Sequence, residues 1–322
     1  MPGSGTRTFL EPHHFEASLR QAEIELIITC PGQFEARLTW AELHYLQVLR
    51  CEEDFPRVGS VCFRPGLAFV IFPLQSGHVP VWRGTQLQPN QIMLVSGCGR
   101  LHQWTAGPSI WGLIVLNQVP LELYSQTLSG KPFFWRSGTE ILLPALRDAA
   151  RLRRLHAQVC RLAETKPRTL SHSEVARALE QGLIHALVTC LTTTTLGTEG
   201  SSNSRQAGIM IRFEEVLTKH LSDPRFNMAQ LCQLIGVTER ALRSCCAEII
   251  GMTPPRYILL RRLRQVRVAL REAHPGATDV AELARRCGFT QMAQFASAYL
   301  AAFGETPTVT LQRAPELRFA IR

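Results

Sequence analysis

Two arginines and two glutamines stand at matched places in the last third of this 322-residue chain. Arg240 and Arg243 each carry a planar fork of N–H donors that fits the O6 and N7 acceptors of guanine, and the amides of Gln291 and Gln294 fit the N6 and N7 of adenine. Glu239, Ser244 and Ser297 lie among them and complete two sets of side chains suited to base edges. Thr238 and Thr290 precede the sets, and Arg261, Arg264 and Arg267 fall between them, where hydroxyl and guanidinium groups would meet phosphate oxygens. Each residue alone reads equally well as a solvated surface group. Their spacing sets them apart.

That spacing needs elements to hold it, and one pattern occurs twice. The first copy runs Gly236-Val237-Thr238, then Leu242 and Cys246, and closes on Ile250-Gly251-Met252-Thr253-Pro254. The second runs Gly288-Phe289-Thr290, then Phe295 and Tyr299, and closes on Phe303-Gly304-Glu305-Thr306-Pro307, 52 residues after the first. Each follows a short amphipathic run, Met228 to Ile235 or Asp279 to Cys287. A short helix, a glycine turn, a threonine cap and a second helix describe a helix-turn-helix unit. In the first copy Leu242, Cys246 and Ile249 recur at helical spacing, which leaves Glu239, Arg240, Arg243, Ser244 and Ala247 outward. In the second, Phe295, Tyr299 and Phe303 form the buried stripe and Gln291, Gln294 and Ser297 face out. Between the copies a helix is predicted over Pro255 to Ala273, with proline at its start, where a missing N–H costs least. Ile258, Leu259, Leu263, Val266 and Leu270 are its apolar positions, and Arg261, Arg262, Arg264, Arg267 and Arg271 occupy much of the rest. Such a helix would fix the separation of two heads and offer arginines to phosphates.

Together these features resemble the DNA-binding domain of AraC/XylS-type transcription regulators. The resemblance covers roughly Ile209 to Leu311. It rests on Leu231 and Ile235 before Gly236-Val237-Thr238, the Pro255-Arg256-Tyr257 helix start, Val280-Ala281-Glu282-Leu283-Ala284, Cys287-Gly288-Phe289-Thr290 and the closing Phe303-Gly304-Glu305-Thr306-Pro307. It implies that both second helices, here Thr238 to Ile249 and Gln291 to Phe303, enter successive major grooves on one face of double-stranded DNA. It further implies a homodimer, activation through RNA polymerase and a small-molecule effector held by a preceding barrel, with control by a protein partner as the alternative. The chain departs from the pattern at Ser244 and Ser297, where an arginine is usual, and at Cys246, where an aromatic is usual. Leu300-Ala301-Ala302 also replaces a commonly basic run. The second head therefore lacks charge.

The formal net charge is +9, of which +6 falls within Ile209 to Arg322, as polyanion binding requires. Met1 to Phe15 lacks the layout of a secretory signal, and the longest apolar run, Leu183 to Leu196, is too short to span a bilayer. A cytoplasmic location away from membranes is the expectation. Ten cysteines show no C-x-x-C pairing or metal-ligand spacing, and Cys232, Cys246 and Cys287 read as core. No nucleophile, base or ligand set converges, so no catalytic residue, metal or cofactor is expected. A cupin-like enzyme fused to a DNA-binding domain is the remaining rival.

From Ile24 to Leu116 the period shortens to β runs: Ile24 to Thr29, Phe34 to Trp40, Leu43 to Leu49, Val61 to Arg64, Leu67 to Phe72, Val79 to Arg83, Ile92 to Val95 and Trp111 to Leu116. Turn residues such as Pro31-Gly32, Pro65-Gly66, Gly77 and Pro89-Asn90 punctuate them. Many short strands of even spacing predict a cupin-like or jelly-roll β barrel. Trp40, Tyr45, Phe69, Trp82 and Trp104, with Phe72 and Trp111, are candidates to line an effector pocket, each also readable as core filling. His44, His78 and His102 lack the paired spacing of a metal cupin. Ser137-Gly138-Thr139-Glu140 has the form of a capping box and predicts a helix to about Ala163, and Ser171-His172-Ser173-Glu174 predicts a second ending near Thr192. Gly197 to Gly208 reads as a flexible linker. The predicted architecture is α+β and multidomain: a sensing barrel over 1–136, a helical dimerisation or packing element over 137–196, a linker over 197–208, an all-α domain over 209–311 with helix-turn-helix units at about 228–249 and 279–303, and a tail over 312–322.

Overall fold

The computed structural model describes residues 3–74, 78–97, 99–118, 124–127, 135–192, 195–196, 201–274 and 278–313. The expected turn at Gly77, residues 197–200 of the linker and most of the tail lie outside them. The chain divides into two compact units, Met1–Leu26 with Phe34–Asn203, and Ile27–Gln33 with Ser204–Arg322.

In the first unit two antiparallel sheets carry the structure. The larger has the order β1 (Ser4–Phe9), β3 (Ala36–Glu42), β4 (Leu46–Glu53), β11 (Ser109–Asn117), β6 (Leu67–Pro73), β9 (Ile92–Ser96), β12 (Gly138–Leu143) and β13 (Thr195–Leu196). The smaller has the order β2 (Ala22–Ile28), β5 (Arg57–Phe63), β10 (Arg100–Thr105), β7 (Val81–Trp82) and β8 (Thr85–Gln86). A short helix α1 (Pro12–Ser18) lies between β1 and β2. β1, β10 and α1 have no counterpart among the sequence-predicted elements; β1, for example, is only weakly alternating and polar.

β6 shows why some runs here are apolar at every position. Side chains alternate across a strand, and both faces of β6 are covered. Phe69 and Ile71 point toward Val61, Phe63 and Trp82 of the smaller sheet. Ala68, Val70 and Phe72 join a core with the helices α2 (Leu146–Thr165) and α4 (Ser173–Thr192), through Leu152, Val159, Leu183 and Leu187. Each fully buried side chain of this size stabilises by about 1.5–3 kcal/mol. A short helix α3 (Pro167–Leu170) joins α2 to α4.

The helix expected to begin at Ser137 begins instead at Leu146, and its first residues form β12. Ser137 does not cap: its hydroxyl donates to the Gly97 carbonyl at 2.8 Å, and Gly138 to Leu142 pair with Ser96 to Ile92. The open edge of β9 offers five residues of ladder, which outweighs one cap bond, and Pro144 then separates strand from helix. Ser171 likewise donates to the Arg168 carbonyl, closing α3, and α4 starts at Ser173 and ends at Thr192.

Apart from Ile27–Gln33, the second unit is helical. It comprises α5 (Ser201–His220), α6 (Met228–Ile235), α7 (Glu239–Ile249), α8 (Pro254–Glu272), α9 (Val280–Arg286), α10 (Met292–Phe303) and α11 (Pro307–Gln312). The linker expected to reach Gly208 is thus helical from Ser201. Ile209, Met210, Phe213 and Leu217 bury one side of α5, and the Gln206 amide donates to Glu248 at 2.5 Å. That packing carries the helix backward into a polar stretch of poor propensity.

Candidate nucleic-acid interface

The first head is built by α6 and α7. Asn227 and Gln230 form a reciprocal capping box at the start of α6. Gly236 ends that helix at φ 75°, a left-handed conformation that costs a Cβ-bearing residue and not glycine. Thr238 then caps α7 by accepting from the Ala241 N–H at 3.2 Å. Leu242, Cys245, Cys246 and Ile249 are buried, so α7 shows solvent the opposite face, with Glu239, Arg240, Arg243, Ser244 and Ala247. Burial holds the Cys245 thiol up at about 11 and pushes Cys246 higher still, so both stay protonated and pack as small apolar groups. Both are free thiols.

Arg243 donates to the Glu239 carboxylate through Nε at 2.8 Å and Nη2 at 2.6 Å. Arg240 has no carboxylate partner among the described residues. Exposed i,i+4 pairs are worth only about 0.3–0.5 kcal/mol, so Arg243 can be released to a stronger acceptor.

The second head is built by α9 and α10. Asp279 caps α9 by accepting from the Ala281 N–H at 2.8 Å. Gly288 turns the chain at φ 89°, where a Cβ would also press on the Ser222 carbonyl at 3.1 Å. Here the expected symmetry breaks. Thr290 is exposed but does not cap, because α10 starts at Met292 with Gln291 at its N-cap position and no side-chain cap bond. Gln291, Gln294 and Ser297 are all exposed. Phe295 and Tyr299 are buried, and Phe289, Phe295, Tyr299 and Phe303 form a run of aromatic contacts 4.6–5.7 Å apart. The Tyr299 hydroxyl lies 2.9 Å from the Thr310 hydroxyl in α11.

Between the heads, α8 corrects two of the phosphate assignments. Arg261 is buried at 7% exposure, with Nη1 2.5 Å from Glu214 of α5, whose other oxygen accepts from the Tyr257 hydroxyl at 2.7 Å. Arg267 pairs with Glu305 at 3.1 Å and lies over the Phe303 ring at 4.7 Å. Arg262, which no assignment singled out, donates to the carbonyls of Leu221 at 2.6 Å and Asp223 at 2.9 Å, which closes the end of α5. These guanidinium groups clamp α8 to its neighbours. Arg264 is half-buried. The apolar stripe is also rotated: Leu259 is 38% exposed, and Leu260 is buried in its place beside Leu263 and Val266. The sequence signal for this inward turn was Glu214, a lone carboxylate in the apolar stripe of α5.

In the first unit Phe69 and Trp82 line a cavity between the sheets with Phe63, Ile71, Gln103 and Trp111. Its volume is about 20 Å³, room for roughly one water. The Gln103 Oε1 is buried there without a hydrogen-bond partner among the described residues. Trp40, Tyr45 and Trp104 are not part of the lining. Tyr45 is 41% exposed and packs on His44, while Trp40 and Trp104 are half-buried. The cavity selects residues that alternate inward on facing strands, which aromatic content alone does not reveal. Among the described residues no group of three or more His, Cys, Asp or Glu side chains is placed to hold a metal ion, and none of their helices is long and apolar enough to cross a membrane.

Residues 231–313 match a family described as a helix-turn-helix domain. A probable thc operon regulatory protein of Rhodococcus erythropolis is 32% identical over 108 residues, 34% of this chain and 32% of that protein. An XylDLEGF operon transcriptional activator of Pseudomonas putida is 31% identical over 100 residues, 31% of this chain and 30% of that protein. The chain therefore spans about a third of the length of these curated relatives. Among solved structures, that of the AraC-like transcriptional activator CuxR aligns with 88% of this chain and 99% of its own, at 15% identity and a TM-score of 0.40. With the tandem heads and their αL glycines in view, residues 231–313 form a helix-turn-helix domain similar to those of the matched operon regulators.

Proposed function

We propose that the chain is a sequence-specific DNA-binding transcription regulator. The observation that carries this reading is the duplication: α7 and α10 each end a helix-turn-helix unit, each present a polar face to solvent, and one helix, α8, joins the units. Each such helix fits a major groove, and successive grooves on one face recur about every 10 base pairs. Arg240 and Arg243 read guanine, Glu239 and Ser244 flank them, and Gln291, Gln294 and Ser297 form the weaker reading face. Thr238, Thr290 and Arg264 remain the candidates for phosphate contact. Cytoplasmic operation without catalysis follows from this role, as do a homodimer and activation through RNA polymerase. A salt series tests direct binding. Log affinity for operator DNA falls linearly with log salt, at about −0.9 per neutralised phosphate. Affinity that is flat between low and physiological salt contradicts the proposal.

The cavity between the sheets supports a sensing role for the first unit. Its lining is apolar apart from Gln21 and Gln103, and the orphaned acceptor of Gln103 invites a donor, so its occupant is a small, mostly apolar molecule with an N–H or O–H group. At about 20 Å³ the site admits such a molecule only if the sheets part, and a ligand that binds the parted form better shifts the population toward it. Control by a protein partner is the alternative. Thermal melts with candidate metabolites separate the two: a stabilising ligand whose effect Gln103→Leu abolishes supports the effector, and a ligand-independent melt supports the partner.

A further inference from the structure

A second cationic face lies on α2, in the other unit. Arg147, Arg151, Arg154 and Arg161 fall at i, i+4, i+7 and i+14, so they share one side of the helix, and all four are exposed. At 1.5 Å per residue the row is about 21 Å long. The helix holds two carboxylates, Asp148 and Glu164, and both are engaged, with Arg147 at 3.6 Å and with Arg37. Arg151, Arg154 and Arg161 have no partner for their guanidinium groups among the described residues. A solvated helix face ordinarily mixes signs, because like charges at i,i+3 and i,i+4 repel. This face instead sets Arg147 beside Arg151 and Arg151 beside Arg154.

We propose that this row is a second DNA-contacting surface, whose arginines neutralise backbone phosphates and add affinity without base preference. The inference rests on the proposed DNA-binding function. Charge complementarity selects the occupant. A duplex presents one negative charge per about 1.7 Å of axis, roughly a dozen along the row. A second copy of the chain is a poor occupant, since a two-fold pairing of this face sets arginines against arginines. An acidic protein surface is the competitor that the experiment must separate.

The full chain is titrated with a long random-sequence duplex over a salt series. The variant carries Arg151→Gln, Arg154→Gln and Arg161→Gln together, and its control carries Arg20→Gln, Arg64→Gln and Arg136→Gln, three exposed arginines of the same unit outside α2. Losing three phosphate contacts reduces the magnitude of the salt slope by about 2.7, while the control keeps the wild-type slope. Replacing the same three α2 arginines by lysine retains both charge and slope, which separates a charge effect from a folding defect. Equal losses in the two glutamine triples would reduce the effect to net charge and overturn the proposal. An unchanged slope in the α2 triple, with reduced transcription from the regulated promoter, would assign the face to an acidic protein and overturn it too. A wild type that binds no duplex at any salt removes the regulatory function itself and the inference with it, and is recognised because all the variants then agree.

Discussion

Arg240 is the side chain on which the ranking of the two heads depends. It is exposed and has no carboxylate partner among the described residues, whereas Arg243 must leave Glu239 to reach a base. A bidentate guanine contact is worth about 1–3 kcal/mol, so Arg240→Ala weakens operator binding by that amount and relaxes base preference in one half-site. Gln291→Ala and Gln294→Ala cost less, and titrating each mutant on the operator checks the order; a larger loss from the glutamines reverses the ranking. Arg261 behaves differently. Removing one partner of a buried ion pair costs about 3–5 kcal/mol, so Arg261→Ala lowers the stability of the second unit, with the Glu214 carboxylate left buried. Intact melting with a shallower salt slope would return Arg261 to the phosphates. Sequence reasoning placed the faces of α7 and α10 because apolar residues at helical spacing fix both sides of a helix. It misplaced Arg261 because an arginine that meets a buried carboxylate from another helix looks, in sequence, like any solvated arginine.

Helix α2 and strand β12 show where local signals mislead. Ser137-Gly138-Thr139-Glu140 satisfies the capping-box pattern, yet its partner is the distant strand β9, where Ser96 pairs with Gly138 and Val95 with Thr139. A ladder with a distant edge leaves no trace in a short window. The helix proper was legible from Ala149 to Ala163, where the apolar period holds. His156 lies on that buried side, with Nε2 2.9 Å from the Leu49 carbonyl and its ring edge-on to Phe72. Burial lowers its pKa from 6.5 to about 4, outweighing the carbonyl bond. The folded form therefore keeps the ring neutral while the unfolded chain takes up a proton below pH 6.5. Stability is fully present above that pH and falls as pH drops toward about 4, by roughly 3 kcal/mol. Melting curves between neutral pH and pH 4.5 check this against His156→Gln, which flattens the fall; parallel curves for the two proteins would mean that His156 titrates normally.

The two units were visible as a change of period, from alternation in the first part of the chain to helical spacing in the last. The tandem heads were the most legible feature because each is a local motif with its own glycine, apolar stripe and closing turn, and because the motif recurs. The polar stretch before Ile209 was not legible, since the packing of α5 and not its composition makes it helical. The cavity between the sheets needed both sheets in register, and of the seven aromatic candidates only Phe69, Trp82 and Trp111 reach it. Two heads joined through α8 should read one duplex at two places. The most direct measurement is a chemical-protection footprint of the full chain on its operator, compared with Arg240→Ala. Two heads protect two major-groove patches on one face of the duplex, about 10 base pairs apart, with base-specific protection lost from one patch in the variant. A single protected patch in the wild type, or two patches that Arg240→Ala leaves intact, would contradict two-headed reading.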